Sequence, residues 1–314
     1  MLAYTMRRVL GAVPTLLAVI TLSFVLMHLA PGGPFDQARR LPPQIEHNIE
    51  HDYHLDEPLY RQYFLYLDNL AHFNFGASFK NRAFTVGQLI EIGLPVSARI
   101  GLSAIVLAIL FGSAFGTLAA LHHNHFADHG IMSIAMVGIT LPNFVTAPIL
   151  TLIFGIYGIS LFGHHMSLPV GGWDDGNLRN LILPVTVLAL PQMAIIARLV
   201  RGSMIEVLHS NYVRTARAKG LPARLVITRH ALRAGLLPLV SYLGPAVASI
   251  LTGSLVVEQI FGVPGIGRYF VQAAVNRDYT MVMGVVITYA TLVIVLNLAA
   301  DLLYGILDPR VRLQ

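Results

Sequence analysis

The sequence predicts an all-α polytopic membrane protein with six transmembrane helices, and three observations carry the prediction. The 314 residues are 55% hydrophobic and only 12% charged, with a mean hydropathy of +0.66, whereas soluble domains hold roughly a quarter charged residues. Six stretches lack Asp, Glu, Lys and Arg over close to, or more than, the roughly 20 residues that cross a bilayer. The basic residues between them gather on one set of connections. Such a composition argues against an ordinary soluble enzyme. The absence of cysteine excludes disulfides, thiolate zinc sites, iron–sulfur clusters and thiol catalysis. A net charge of +5 on so apolar a chain fits membrane orientation better than nucleic-acid binding, and no nucleic-acid partner is expected.

The first crossing, residues 9–30, follows Arg7 and Arg8. Its 22 uncharged residues exceed a signal-peptide core, and Pro31 follows the small-residue site at Ala30, so it reads as an uncleaved anchor. An extracytoplasmic segment of residues 31–95 comes next. Within it Leu59, Tyr63, Leu67 and Leu70 recur at helical spacing, with Tyr60, Phe64 and Tyr66 beside them. That pattern suits either a helix in the membrane interface or one packed on the outer ends of the spans.

The remaining residues, 96–314, hold the other five crossings. The second covers 100–121, where small residues around Ser103 are read as helix-packing contacts. The third, 130–162, is longer than one crossing needs and contains Pro142 and Pro148, which predicts a kink or an early end in a short outer segment. The fourth, 181–197, has 17 uncharged residues and two prolines, Pro184 and Pro191, and is expected to run on toward a snorkelling Arg198. The fifth and sixth are 236–257 and 281–300. With Pro14, Pro238 and Pro245, seven prolines lie in or beside spans, each freeing backbone groups that neighbours or water must satisfy.

Lys and Arg set the orientation. Between spans four and five, residues 198–235 carry eight of them, Arg198, Arg201, Arg214, Arg217, Lys219, Arg224, Arg229 and Arg233, against one acid, Glu206. Six crossings place Arg7, Arg8, Arg310 and Arg312 on the same side, which the positive-inside rule makes cytoplasmic. Both termini are then cytoplasmic.

Several patterns that resemble catalytic sites lack partners. His47-Asn48-Ile49-Glu50-His51 spells H-x-x-E-H, a zinc-peptidase arrangement, but no clear third ligand accompanies it. His122, His123, His125 and His129 crowd a short connection whose nearby carboxylate is Asp128, and a solvated loop is the expected state. Ser103 would need a histidine base, and His28 is the only one within a span. The two lysines, Lys80 and Lys219, follow no phosphate-binding loop, so the chain is expected not to hydrolyse ATP. The glycines of Phe261-Gly262-Val263-Pro264-Gly265-Ile266-Gly267 have the wrong order for a nucleotide fingerprint and read as a tight outer turn. Glu258 and Asp301 are costly near hydrocarbon, and pairing or snorkelling at span ends would accommodate them.

The cytoplasmic loop contains more than charge. Ser210 and Asn211 suit a helix start, 212–219 has no breaker, and Gly220 followed by Pro222 makes a stop. A second helical pattern, 224–232, leads to span five. A short basic helix bounded at both ends fits a groove in another protein, with lipid headgroups the alternative.

Here the sequence resembles a family. Arg201-Gly202-Ser203-Met204-Ile205-Glu206-Val207-Leu208 and Tyr212-Val213-Arg214-Thr215-Ala216-Arg217-Ala218-Lys219-Gly220-Leu221 resemble the signature region of binding-protein-dependent ABC importer permeases, most closely the peptide/nickel branch and its oligopeptide B-type subunits. Further likeness runs through Arg7-Arg8 with Pro14-Thr15, Leu29-Ala30-Pro31-Gly32, Leu55-Asp56-Glu57-Pro58, the 261–267 turn, Asn276-Arg277-Asp278-Tyr279 and Asp308-Pro309-Arg310. Arg214-Thr215-Ala216 stands where the broad importer pattern has Glu-Ala-Ala, and Leu232-Arg233 where it has Leu-Pro. Both departures resemble the peptide branch. Phe73-Asn74-Phe75-Gly76 stands where relatives often show Gly-Asp-Phe-Gly, which puts a role for an aspartate there in doubt.

The resemblance implies a type I importer permease fold. It also implies a second homologous permease, two ATPase subunits that hold ATP and Mg2+, and an extracytoplasmic binding protein, all in a bacterial inner membrane. This chain itself is expected to hold no cofactor or metal. Tyr212, Arg214, Thr215, Ala216, Arg217, Lys219 and Gly220 become the candidate ATPase-coupling helix, with Ala216 and Gly220 expected to allow close packing in the ATPase groove. Gly262, Pro264, Gly265 and Gly267 become candidate binding-protein contacts. Oligopeptides are the expected cargo, with dipeptides, glutathione or nickel chelates as alternatives. A secondary transporter would need an inverted repeat and deep coupling carboxylates, neither of which is evident. Pathway-lining residues are not assigned by the sequence.

Overall fold

The computed structural model describes residues 2–29, 56–78, 83–161 and 164–307. In chain order its main helices are α1 Leu2–Leu29, α2 Leu59–Ala71, α3 Val86–Leu121, α4 Phe126–Thr140 and α5 Asn143–Leu150, which continues as a π turn over Thr151–Ile156. They are followed by α6 Leu178–Leu208, α7 Asn211–Ala218, α8 Leu237–Phe261, α9 Ile266–Asn276 and α10 Tyr279–Leu307. A broken helical stretch over 223–235 joins α7 to α8. A small antiparallel ribbon, Ile159–Leu161 with His164–Met166, follows the π turn. The 47–51 and 308–310 motifs lie outside the described residues, as do the side chains of Arg7, Arg8 and Asp301.

Five helices, α1, α3, α6, α8 and α10, are long and apolar enough to cross a membrane. The sixth crossing is bent. Helices α4 and α5 meet at 110° because Pro142 has no N–H to continue the ladder and holds Leu141 out of the helical region, at φ −98° and ψ 119°. Beyond the break, the Pro142 carbonyl accepts from Val145 N and Thr146 N at 2.9 and 3.0 Å, and from the Thr146 hydroxyl at 3.2 Å, which starts α5. The start of this pair lies at one end of α6, where Asp128 meets Arg201. Its continuation lies at the other, where Asn180 donates to the Gly171 carbonyl. The pair therefore carries the chain from one end of α6 to the other, which makes it a broken crossing.

Two spans are longer than their uncharged stretches. Helix α3 begins at Val86, where Thr85 and Gln88 form a reciprocal capping box. Its 36 residues make roughly 54 Å of helix, so the first turns stand outside a hydrocarbon core. Those turns carry Glu91 and Arg99, and Arg99 lies over the Trp173 ring at 5.8 Å. Helix α6 starts where the Asn177 side chain accepts from Arg179 N at 3.1 Å. It then runs through Arg198 and Arg201 to Leu208.

The core is built on close backbone approach. Ser97, Gly101, Ala104, Ala108, Gly112 and Gly116, three or four residues apart, are buried along one side of α3. A Cβ on Gly112 would lie 2.8 Å from the Met193 carbonyl oxygen, and one on Gly116 would lie 2.5 Å from that of Ala197. Between helices in lipid, small residues that admit such contact replace the hydrophobic drive available in water. Val187, Leu188, Ile196, Val200 and Met204 of α6 complete this cluster. Near the N-terminal ends of α3 and α10, Val86 and Ile90 of α3, Ile266 of α9 and Met281 and Val285 of α10 form a second one.

Helix α2 takes the packed alternative, against a span. It packs on the C-terminal half of α1, with Tyr63 OH 2.6 Å from Thr21 Oγ1 and the Tyr63 ring edge-on to Phe24 at 5.2 Å. Leu59, Tyr60 and Phe64 remain exposed. His28, the histidine considered as a base, has its ring nitrogens against the Phe24 carbonyl and Gln62.

Candidate functional site

The short helix expected after Ser210 is present as α7. Helix α6 ends one turn earlier, where Ser210 donates its hydroxyl to the Val207 carbonyl at 2.6 Å. Helix α7 then presents two unlike faces. Val213 and Ala216, three residues apart, are buried against Val226, with Val207 and Leu221 beside them. Tyr212, Arg214, Thr215, Arg217 and Lys219 are exposed. Among the described residues, none of these three basic side chains forms an ion pair. The result is a basic, partly aromatic surface on an apolar seat.

One residue of this helix acts differently from expectation, and the glycine after it has a local role of its own. Ala216 is only 6% exposed; it holds α7 onto its own chain and offers almost no surface to a partner. Gly220 packs against nothing in its own chain, with open space where a Cβ would go. Its φ of +74° is the left-handed conformation that ends a helix. There, Gly220 N donates to Arg217 O at 2.9 Å and Leu221 N to Ala216 O at 3.4 Å, and Leu221 tucks against the Val213–Val226 cluster.

The seat is joined to the spans on both sides. Val207 belongs to α6, and Val226 lies in the stretch leading to α8. Gly235 on that stretch is so close to Met204 of α6 that a Cβ would strike the Met204 sulfur. Helix α6 is in turn clamped to α4, since Arg201 Nε and Nη2 each donate to Asp128 at 2.6 Å. Asp128, whose side chain is 1% exposed, also accepts from Asn124 N, and His123 lies 3.5 Å away. Sequence reasoning treated Arg201 as an orientation charge and Asp128 as a stray carboxylate. Opposite charges at the ends of adjacent spans were the available signal. Among the described residues no group of three or more His, Cys, Asp or Glu is arranged to hold a metal.

At the opposite end of the spans, the 261–267 turn is built into the fold. Gly262 adopts φ +64° to end α8. The Glu258 carboxylate, fully buried, then accepts from Gly267 N at 2.7 Å, while Ser97 Oγ accepts from Ile266 N at 2.9 Å. These are first-turn N–H groups of α9, which has no helical acceptor for them and whose dipole favours a carboxylate. Gly265 and Gly267 are buried, and a Cβ on either would collide with Glu258. Both are therefore corrected from surface contacts to internal packing positions. Gly262 and Pro264 retain partial exposure. Asp278, nearby, caps α10 by accepting from Met281 N at 3.2 Å and receives the Ser78 hydroxyl.

Residues 112–313 match the family described as "Binding-protein-dependent transport system inner membrane component", and residues 1–97 match its N-terminal companion. The chain belongs to this family of permeases. It is 50% identical over 312 residues to the oligopeptide transport system permease protein OppB of Haemophilus influenzae, covering 99% of this chain and 100% of the relative. The Salmonella typhimurium OppB is 49% identical over the same 312-residue length, with the same coverage. The dipeptide transport system permease protein DppB of Bacillus subtilis is 43% identical over 314 residues, 100% of this chain and 99% of the relative. As a permease of this family the chain is an integral inner-membrane transport component, and the bent span and the α7 seat are features of that permease.

Proposed function

We propose that this permease is one of two membrane-spanning subunits of an ATP-driven importer and carries oligopeptides delivered by an extracytoplasmic binding protein. The observation that carries the coupling role is α7, a basic surface without ion pairs held on an apolar seat shared by α6 and the approach to α8. Two ATPase subunits, holding ATP and Mg2+, would dock there, guided by Tyr212, Arg214, Thr215, Arg217 and Lys219. Movement of the ATPases then shifts α7 together with the spans it is seated on, and Arg201–Asp128 passes the displacement to α4. Work enters from outside because the chain has no phosphate-binding loop of its own.

The eight basic residues of 198–235 support a cytoplasmic placement of this face, with both termini on that side. Oligopeptides are favoured over dipeptides by the higher identity to the OppB proteins than to DppB. Lipid is the remaining partner, along the apolar outer faces of the spans.

The test is reconstitution in proteoliposomes with the second permease, the ATPases and the binding protein. ATP-dependent uptake of labelled tri- to pentapeptides is expected, with none when the ATPases are omitted. Uptake persisting without them would replace this reading with a secondary transporter.

A further inference from the structure

A cavity of about 380 Å³, walled by both polar and aliphatic side chains, lies where the bent span faces α6 and α8. Pro142 and Asn143 from the bend, Pro191 and Gln192 from α6, and Ser249 and Thr252 from α8 contribute to its wall. Gln192 is the fifteenth of 31 residues in α6 and Ser249 the thirteenth of 25 in α8. The cavity therefore sits midway along both helices, at the depth where unsatisfied polar groups are most costly.

Its polar groups are held in place. Gln192 is 3% exposed; its Nε2 donates to Ser249 Oγ at 2.9 Å, and its Oε1 accepts from Tyr242 OH at 2.8 Å. Asn143, partly exposed at the bend, makes no side-chain hydrogen bond among the described residues. Pro191 has no N–H, which leaves the Val187 carbonyl without its usual helical donor.

The exposed face of α8 continues the same chemistry. Ser241, Pro245, Ser249 and Thr252 are all exposed and follow one another at three- or four-residue spacing. The outward face of α3 at Leu102, Val106 and Leu110 is aliphatic, as a lipid contact should be. The contrast separates a face suited to lipid from one suited to water or polar cargo.

We propose that this cavity is a station on the cargo pathway, where the backbone amides of an extended peptide exchange hydrogen bonds with Asn143, Ser249, Thr252 and the Gln192 network. Among the described residues no charged side chain lines it. Neutral donors and acceptors match peptide N–H and C=O groups whatever the side chains, whereas a fixed charge would select among them. The volume is at the low end for ligand sites, roughly 300–1,000 Å³, so it holds a segment of an oligopeptide at a time. The ligand class rests on the peptide-import reading above.

The absence of native cysteine gives a clean test in the complete reconstituted importer. Ser249→Cys and Thr252→Cys are treated with a charged, membrane-impermeant methanethiosulfonate, and modification is followed on this chain by mass spectrometry. Both should react at least about tenfold faster than Leu110→Cys or the buried Ala246→Cys, because the reactive thiolate needs water. Turnover with peptide-loaded binding protein should slow the reaction. Separately, Thr252→Val, which spares the Gln192 network, should lower peptide uptake by roughly two- to tenfold at unchanged complex assembly, the span for one neutral hydrogen bond. Equal reactivity at all four positions would overturn the pathway. Reactive cysteines that peptide does not protect, while peptide uptake continues, would also overturn it. An importer that takes up no peptide but whose cysteines another solute protects would keep the pathway and overturn both the peptide ligand and the peptide cargo of the proposed function.

Discussion

Arg201 and Asp128 form a two-pronged ion pair, with both donor distances at 2.6 Å, between the last turns of α6 and the first turn of α4. Asp128 is almost wholly enclosed while Arg201 is 26% exposed at its side chain. Removing the arginine therefore strands a buried carboxylate, and a broken buried pair costs about 3 kcal/mol or more. Arg201→Ala is expected to lower the melting temperature in detergent sharply. The double variant Arg201→Gln with Asp128→Asn should recover part of the loss, since two neutral partners leave no stranded charge. Additive losses in the double variant would show that the pair does not couple the helices.

Glu258 and Gly265 are expected to act on folding before they act on docking. Glu258→Gln keeps an oxygen that accepts from Gly267 N and should be mild. Glu258→Ala leaves first-turn donors of α9 unpaired in the interior, at about 1–3 kcal/mol. Gly265→Ala places a methyl against the Glu258 carboxylate and the Ser97 hydroxyl, an overpacking cost of about 1–3 kcal/mol. Yield and thermal stability should fall in both Ala variants, with binding-protein association tracking the amount of folded permease. Normal stability with lost association would assign the turn to docking instead.

The apolar crossings were legible because lipid imposes a one-dimensional rule: about 20 uncharged residues per span. The same rule hid the true ends of α3 and α6. Glu91, Arg99, Arg198 and Arg201 interrupt the uncharged stretches, yet the helices continue past them, and only the capping pair Thr85 and Gln88 marked the early start of α3. The α7 boundaries were readable because Ser210 and Gly220 are local signals. Which way Ala216 points depends on Val226, ten residues on, and Gly265 meets Ser97 across the fold. No local pattern encodes either contact. The cavity was hidden for the same reason, since Asn143, Gln192 and Ser249 come from three separate helices.

Phe73 is 85% exposed and has φ +56°, a left-handed conformation that a bulky residue rarely adopts. Asn74 beside it accepts from Gly76 N at 3.0 Å, a turn bond an aspartate at that position would also make. The resemblance to Gly-Asp-Phe-Gly thus has a backbone basis: the first position needs positive φ. Phe73→Gly should relieve roughly 1–2 kcal/mol of left-handed strain, offset in part by glycine's greater freedom when unfolded. A small rise in melting temperature is expected, and a clear fall would mean the Phe73 ring makes a contact in the assembled membrane protein.

The two faces of α7 predict two separable failures. Val213→Asp puts a charge into the Val226 seat and should reduce the amount of folded permease. Arg214→Glu with Arg217→Glu changes only exposed positions, so folding should be retained while pull-down of the ATPases falls by about tenfold or more, as like-charge repulsion replaces attraction at a docking surface. Raising salt should weaken wild-type association, because exposed charges separated by more than about 8 Å are screened at physiological ionic strength. Lys replacements at Arg214 and Arg217 decide what the charges do. If they serve membrane orientation alone, Lys leaves uptake and ATPase association unchanged. If the planar guanidinium makes forked hydrogen bonds to an ATPase carboxylate, Lys keeps the charge but loses that geometry, and association weakens while the salt dependence remains.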